Sequence, residues 1–314
     1  MRIVFMGTPD FAVASLQALL ANGNNVVGVI TAPDKPAGRG KTLQGSAVKT
    51  FAVEKGLRLL QPTNLKDADF ISELKSLEAD LQVVVAFRML PEVVWNMPKS
   101  GTINVHASLL PQYRGAAPIN WAIINNELTT GVTTFLLQHE IDTGNILIQK
   151  KCRITPETNA GDLHDALMGL GAQALTETVD MISSGSIKSI PQNDIKVDLL
   201  KSAPKIFKET CQIDWNNDVS ENYHLIRGLS PYPAAWSNLK LPDDKIISVK
   251  IFETCYVNKQ LLPGEIDTDG KNYVHVGCKN GCLSLHNLQI AGKKRMMIKD
   301  LLRGFQFSTS HQFL

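Results

Sequence analysis

The chain has 314 residues, 44% of them hydrophobic and 20% charged, which is ordinary for a folded soluble protein and long enough to bury a core without disulfides or structural metal. Its net charge of only +2 excludes a chain that holds nucleic acid by bulk charge, so any such contact must come from local basic patches. Five scattered cysteines, Cys152, Cys211, Cys255, Cys278 and Cys282, exclude a disulfide framework.

RIVFMG, at 2–7, reads as a short buried strand and not as the long apolar stretch of a signal peptide. No apolar run is long enough to span a bilayer, so a cytoplasmic protein is expected. In TPDFAVASLQALLANG, Thr8 is placed to cap a helix, with Pro9 as its first residue and Gly23 past its end. A dinucleotide fold would carry G-x-G-x-x-G here. Instead Pro9 lacks an N–H, and Phe11 stands where a glycine would admit pyrophosphate, which argues against a nicotinamide cofactor. NVVGVIT, LQVVVAF and TINVHA are further strands, with helical patterns near 46–55 and 66–77. GVTTFLLQ and NILIQKKCRIT extend the sheet with some antiparallel character. AGDLHDALMGLGAQALTETVDMISSG then predicts one long helix, with Leu163, Leu167, Leu170 and Ala174 on its apolar stripe. Strands alternating with helices imply an α/β, Rossmann-like, mostly parallel sheet.

Beyond Gly185 the periodicity is lost, and SIKSIPQNDIKVDLLKSAPK reads as a linker. Short strands and turns follow, among them KIISVKIFETCYV, NYVHVGC and CLSLHNLQI, which predict a smaller, mostly β, barrel-like domain. The expected organisation is a catalytic domain over 1–185, a linker over 186–204 and a second domain over 205–314. His275, Cys278, Cys282 and His286 resemble a zinc site at first sight. Asn280-Gly281 predicts a tight hairpin, however, with Cys282 opposite Lys279 and Leu283 opposite Cys278. Cys278 then shares an apolar face with Val276, Leu283 and Leu285, while Cys282, His275 and His286 lie on the other, and no metal is expected. His164, beside Asp165, is expected at the surface, and Trp236 in the second core.

The chemistry concentrates in GTINVHASLLPQYRGAAPINWA, residues 101–122. Alternation along TINVHA turns Ile103 and Val105 one way and Asn104 and His106 the other. Two polar residues near the end of a buried strand lie where open α/β sheets bind ligands, although nearby loop backbone could also satisfy them. The Leu-Leu-Pro that follows offers an apolar rim suited to a flat heterocycle, with Ser108 free to hydrogen-bond. Asp142 falls in a turn in EIDTGNIL. Asn, His and Asp can stabilise an oxyanion and tune an imidazole, yet no Ser elbow or nearby Cys supplies a nucleophile. The nucleophile must belong to a substrate.

INVHASLLPQYRGAAPINWA and DTGNIL together resemble the folate-dependent formyltransferase family. MGTPDFAV, PDKPAGRGKTL at 33–43 and RGLSPYPAAW at 227–236 extend the resemblance over nearly the whole chain. It implies a Rossmann-like catalytic domain and transfer of a formyl group from 10-formyltetrahydrofolate to an amine, without metal. Asn104 and His106 would be the oxyanion and proton-handling groups, and Asp142 would position His106 and an ordered water. Ser108, Leu109, Leu110 and Pro111 would line the folate site. The loop at 33–43 resembles a tRNA-binding insertion, which makes initiator methionyl-tRNA the implied acceptor, with Lys35, Arg39 and Lys41 as contacts. No protein partner is implied. Lys293, Lys294, Arg295, Lys299 and Arg303 would add a basic face. One departure is Phe87-Arg88-Met89, where the family often has an aromatic residue followed by Gly. An amino sugar, a small amine or water are alternative acceptors, but they need neither the basic insertion nor the second domain. An RNA-binding protein with a decayed catalytic domain would have lost Asn104, His106 or Asp142, and all three are present.

Overall fold

The computed structural model describes residues 1–37 and 42–314. They form two units, one of Met1–Gly115, Thr129–Arg153 and His164–Ser202, the other of Ala116–Leu128, Ile154–Leu163 and Ala203–Leu314. The first unit is built on a seven-stranded sheet in the order Ile146–Arg153, Thr129–Leu136, Thr102–His106, Leu81–Val85, Arg2–Gly7, Asn25–Ile30, Leu59–Leu60. The last five strands run parallel, and the first two are antiparallel additions at the edge. Leu81–Val85 is buried at every residue, as a central parallel strand must be with both faces covered. One face carries Val4, Met6, Ile30 and Val84 against Phe70, Leu74 and Leu77.

Three helices fall where the apolar spacing puts them. Ala47–Glu54 is capped by Ser46, whose hydroxyl accepts from Lys49 N–H, and Ala68–Ser76 by Asp67, whose carboxylate accepts from Asp69 and Phe70. Ala160–Ser183 is the long helix. The first helix corrects the expected cap: it is Asp10–Ala21, with extended Pro9 at its N-cap and no side-chain cap. At ψ 179 Pro9 cannot be the first helical residue, and Thr8 is displaced one place further out.

The second unit carries an antiparallel sheet in the order Ile266–Thr268, Val274–Cys278, Gly281–Ile290, Ile246–Val257, Ala235–Lys240, Gln312–Phe313, with Met296–Met297 beside Gly281–Ile290. A bridge between Glu265 and Gln312 joins the two ends, the barrel-like closure expected. The hairpin register differs from the expectation. Cys278 pairs Gly281 and Gly277 pairs Cys282, so Lys279-Asn280 is the turn. The shift moves the pairing by two places, which preserves facing: Cys278 lies in the core with Val276, Leu283 and Leu285. Trp236 packs partly buried against the same core. Among the described helices none is long and apolar enough to cross a membrane.

Helix Val219–Leu229 has no counterpart among the predicted elements, although Asp218 and Glu221 form a capping box that marks its start. It supplies Arg227, 6% exposed, the first residue of RGLSPYPAAW. Arg227 donates to the Thr158 carbonyl at 2.8 Å, to Asn126 Oδ1 at 3.3 Å and to His224 Nδ1 at 3.0 Å, tying three segments of this unit together. Burial, and then the Arg227 charge, push the His224 pKa from its ordinary 6.5 to about 4. The folded chain therefore binds fewer protons at His224 than the unfolded chain does, and stability is lost as pH falls from 6.5 towards about 4. Melting temperature should drop across that window, and less steeply in His224→Gln, whose amide oxygen can still accept from Arg227. Equal slopes in thermal melts of the two proteins would contradict this.

Candidate active site

Strand Thr102–His106 lies between Leu81–Val85 and Thr129–Leu136, with Asn104 opposite Val84 and Phe135, and His106 opposite Thr133. Ile103 and Val105 are buried on one face, which leaves Asn104 and His106 together on the other, at the C-terminal end of the strand. His106 is 6% exposed and lies edge-on to Phe135 with ring centroids 6.5 Å apart. Its Nε2 is 2.9 Å from the Tyr113 carbonyl, which can only accept, so Nε2 carries the proton and donates. Loop backbone thus satisfies one ring nitrogen. Nδ1 faces Asp142 Oδ2 at 3.8 Å, an ion-pair distance but longer than a hydrogen bond. Among the described residues Nδ1 makes no hydrogen bond, and it has a carboxylate on its flank. Asn104 is half-buried, and among the described residues its amide makes no hydrogen bond.

Asp142 occupies a turn with φ +55, a left-handed conformation uncommon for a non-glycine residue. Its Oδ2 accepts from the Gly115 N–H at 2.9 Å. The chain from 107 to 115 therefore closes over the pair by two contacts, one at the Tyr113 carbonyl and one at Gly115.

The residues implied for the folate site sit mostly inside this loop. Ser108 is fully buried and its hydroxyl donates to the Gln112 carbonyl at 2.6 Å, which leaves it unactivated as a nucleophile. Leu110 packs with Phe135 and Ile146, and Pro111 is buried beside it. Leu109 is half-buried, and its methyl group lies over Gly131 so closely that a Cβ there would stand 2.6 Å from it. Thr133 and Gln149 stitch the loop from below: the Thr133 hydroxyl donates to the Ser108 carbonyl at 2.7 Å, and the Gln149 amide donates to the Leu110 carbonyl at 2.8 Å. Neither carried a signal in the sequence beyond its place in a strand.

At the departing segment, the Arg88 guanidinium donates to the carbonyls of Pro62 and Thr63 and lies 5.6 Å from the Phe87 ring, while Met89 is exposed. Lys35 is exposed on a short hairpin of Lys35–Ala37 with Thr42–Gln44. Arg39 and Lys41 lie outside the described residues. In the second unit Arg303 pairs with Asp300 at 3.2 Å and Arg295 lies 4.1 Å from the Phe252 ring, while Lys293 and Lys294 are exposed. His164 is half-buried against Phe11, with Nδ1 3.0 Å from Asp165.

An unengaged amide and an imidazole nitrogen on one strand face, flanked by a carboxylate, are the groups the sequence led us to expect around a tetrahedral oxyanion, and the fold brings them together. Such a site at the end of a Rossmann-like sheet, followed by an antiparallel barrel-like unit, defines a group transferase of the acyl type. Residues 1–179 match the formyl transferase family model and residues 205–306 its C-terminal domain model, and the chain belongs to that family of enzymes. It is 57% identical to the methionyl-tRNA formyltransferase of Bacteroides fragilis, over 98% of this chain and 96% of that one. It is 58% identical to the methionyl-tRNA formyltransferase of Parabacteroides distasonis over the same shares. Among solved structures, an N-formyltransferase from Helicobacter canadensis in complex with folinic acid and dTDP-3-aminofucose has the same fold, with TM-score 0.64, 19% identity, and 94% and 99% of the two chains covered. HypX from Aquifex aeolicus in complex with tetrahydrofolic acid shares it at TM-score 0.64 and 18% identity, over 96% of this chain and 47% of that one.

Proposed function

We propose that the chain transfers the formyl group of 10-formyltetrahydrofolate to the α-amine of initiator methionyl-tRNA, a cytoplasmic step of translation initiation. The observation that carries the reading is the identity to methionyl-tRNA formyltransferases over almost the entire length of both chains, second unit included. The neutral α-amine attacks the formyl carbon and forms the new C–N bond. The resulting oxyanion is held by the Asn104 amide and by Nδ1–H of a protonated His106, whose Nε2–H stays with the Tyr113 carbonyl. Asp142 stabilises the charged ring across the 3.8 Å gap. Collapse breaks the bond between the formyl carbon and folate nitrogen, which takes up a proton as the acceptor nitrogen loses one.

Leu109, at the only half-exposed position of Ser108–Pro111, faces the folate, while Ser108, Leu110 and Pro111 shape the loop behind it. Lys35, Arg39 and Lys41 contact phosphates near the acceptor end of the tRNA, which rests on the resemblance of PDKPAGRGKTL to a tRNA-binding insertion. The test mixes purified protein, 10-formyltetrahydrofolate and charged initiator methionyl-tRNA, and follows formyl-methionine on the tRNA. Formyl passed to an amino sugar or to water, with none on the tRNA, would overturn the acceptor.

A further inference from the structure

Gln192 belongs to a segment whose sequence reads as an aperiodic linker, yet it is 4% exposed, and both ends of its amide are engaged within the first unit. Its Oε1 accepts twice from Arg114, from Nη2 at 2.6 Å and from Nε at 3.0 Å. Its Nε2 donates to the carbonyls of Asp142 and Gly144, each at 2.8 Å. Those two carbonyls flank Thr143 and belong to the turn that holds Asp142 at φ +55. The turn has no slack on its other side, since a Cβ on Gly144 would lie 1.6 Å from the Leu136 carbonyl oxygen. The adjoining residue of Arg114, Gly115, donates to the Asp142 carboxylate. Arg114, Gln192, Asp142 and Gly115 thus close a circuit: one end of the Arg114–Gly115 pair holds the backbone of Asp142 through Gln192, and the other holds its side chain. Ile190 exchanges two backbone hydrogen bonds of 2.8 Å with Ile146, which anchors Gln192 to the edge of the sheet.

We infer that Gln192 is a positioning residue for formyl transfer, acting through Asp142 by locking the left-handed turn that sets the carboxylate against His106. The inference rests on the reading of His106 and Asp142 as a working pair. A residue that merely fastened the 190s to the sheet would affect melting temperature and not turnover.

The test is a double-mutant cycle on the full chain with Gln192→Glu and Asp142→Asn, measuring kcat and KM for both substrates together with the melting temperature. Glutamate keeps an acceptor oxygen for both Arg114 donors, but it loses the two N–H donors and sets a carboxylate oxygen against two carbonyls. Gln192→Glu should lower kcat by about 10- to 100-fold with KM values changed by less than about threefold, as expected of a misplaced group that acts in the transition state. In the Asp142→Asn background the same substitution should cost less than about twofold more, because its route of action is already gone. Equal losses in both backgrounds, or a lowered melting temperature with wild-type kcat, would overturn the inference. Wild-type kcat in Asp142→Asn would instead overturn the reading of the pair. If Gln192→Glu does not fold, Arg114→Met takes its place in the cycle. It keeps the Gln192 donors and frees the amide to rotate, so a smaller kcat loss that also vanishes with Asp142→Asn is expected, and an additive loss counts against the inference.

Discussion

His106→Ala lowers kcat for formyl transfer about 1,000-fold, in the range that general acid–base and oxyanion-stabilising groups supply, and leaves the affinity for methionyl-tRNA almost unchanged. The ring is the only side chain on its strand that meets both the loop, at Tyr113, and the carboxylate, at Asp142. Its loss removes the positive charge that faces the oxyanion and also takes one donor from the buried Tyr113 carbonyl, which costs stability of about 1 kcal/mol. Thermal melts must therefore accompany the kinetics. His106→Gln, which can still donate to that carbonyl, should recover most of the stability and little of the rate. Gel-shift titration with the tRNA checks the other half. A large loss of tRNA binding with turnover intact at saturation would contradict the role.

Asn104→Ala should lower kcat about 100- to 1,000-fold, the usual consequence of removing one oxyanion donor, with a different signature. Because the Asn104 amide makes no hydrogen bond among the described residues, nothing in the fold is left unpaired, and stability should change by no more than about 0.5 kcal/mol. Substrate KM values should hold, since the donor engages an oxygen whose charge develops only in the transition state. Asn104→Asp should be worse than alanine in rate, because a carboxylate opposes the oxyanion. Single-turnover kinetics on the two variants decides the matter: a KM effect with normal kcat would place Asn104 in ground-state binding.

Much of the catalytic sheet was legible because burial on both faces writes itself into local sequence. Arg2–Gly7, Asn25–Ile30 and Leu81–Val85 are nearly continuous apolar runs, and polar residues in the next such run, Asn104 and His106, stand out against that background. The helix Val219–Leu229 was also written locally, in its Asp218–Glu221 box, but Gly228 and the polar face of SENYH obscure its period. The hairpin at Lys279-Asn280 shows the limit of a turn rule. Asn280-Gly281 favours one loop, yet the turn settles one place earlier and the pairing two, so packing of Val276, Leu283 and Leu285 is served equally by both registers.

By itself the sequence determined the alternation of strands and helices in the first unit, the β-rich character of the second, and the strand that carries Asn104 and His106. These follow from periodicity and residue type, which act over a few neighbouring positions. Only the tertiary structure decided which His106 nitrogen is free, that the Ser108 hydroxyl is spent on the Gln112 carbonyl, and that Gln192 grips the Asp142 turn. Each of these is a hydrogen bond closed by folding one segment against another. A donor's partner is chosen by distance in space, and no local pattern records it.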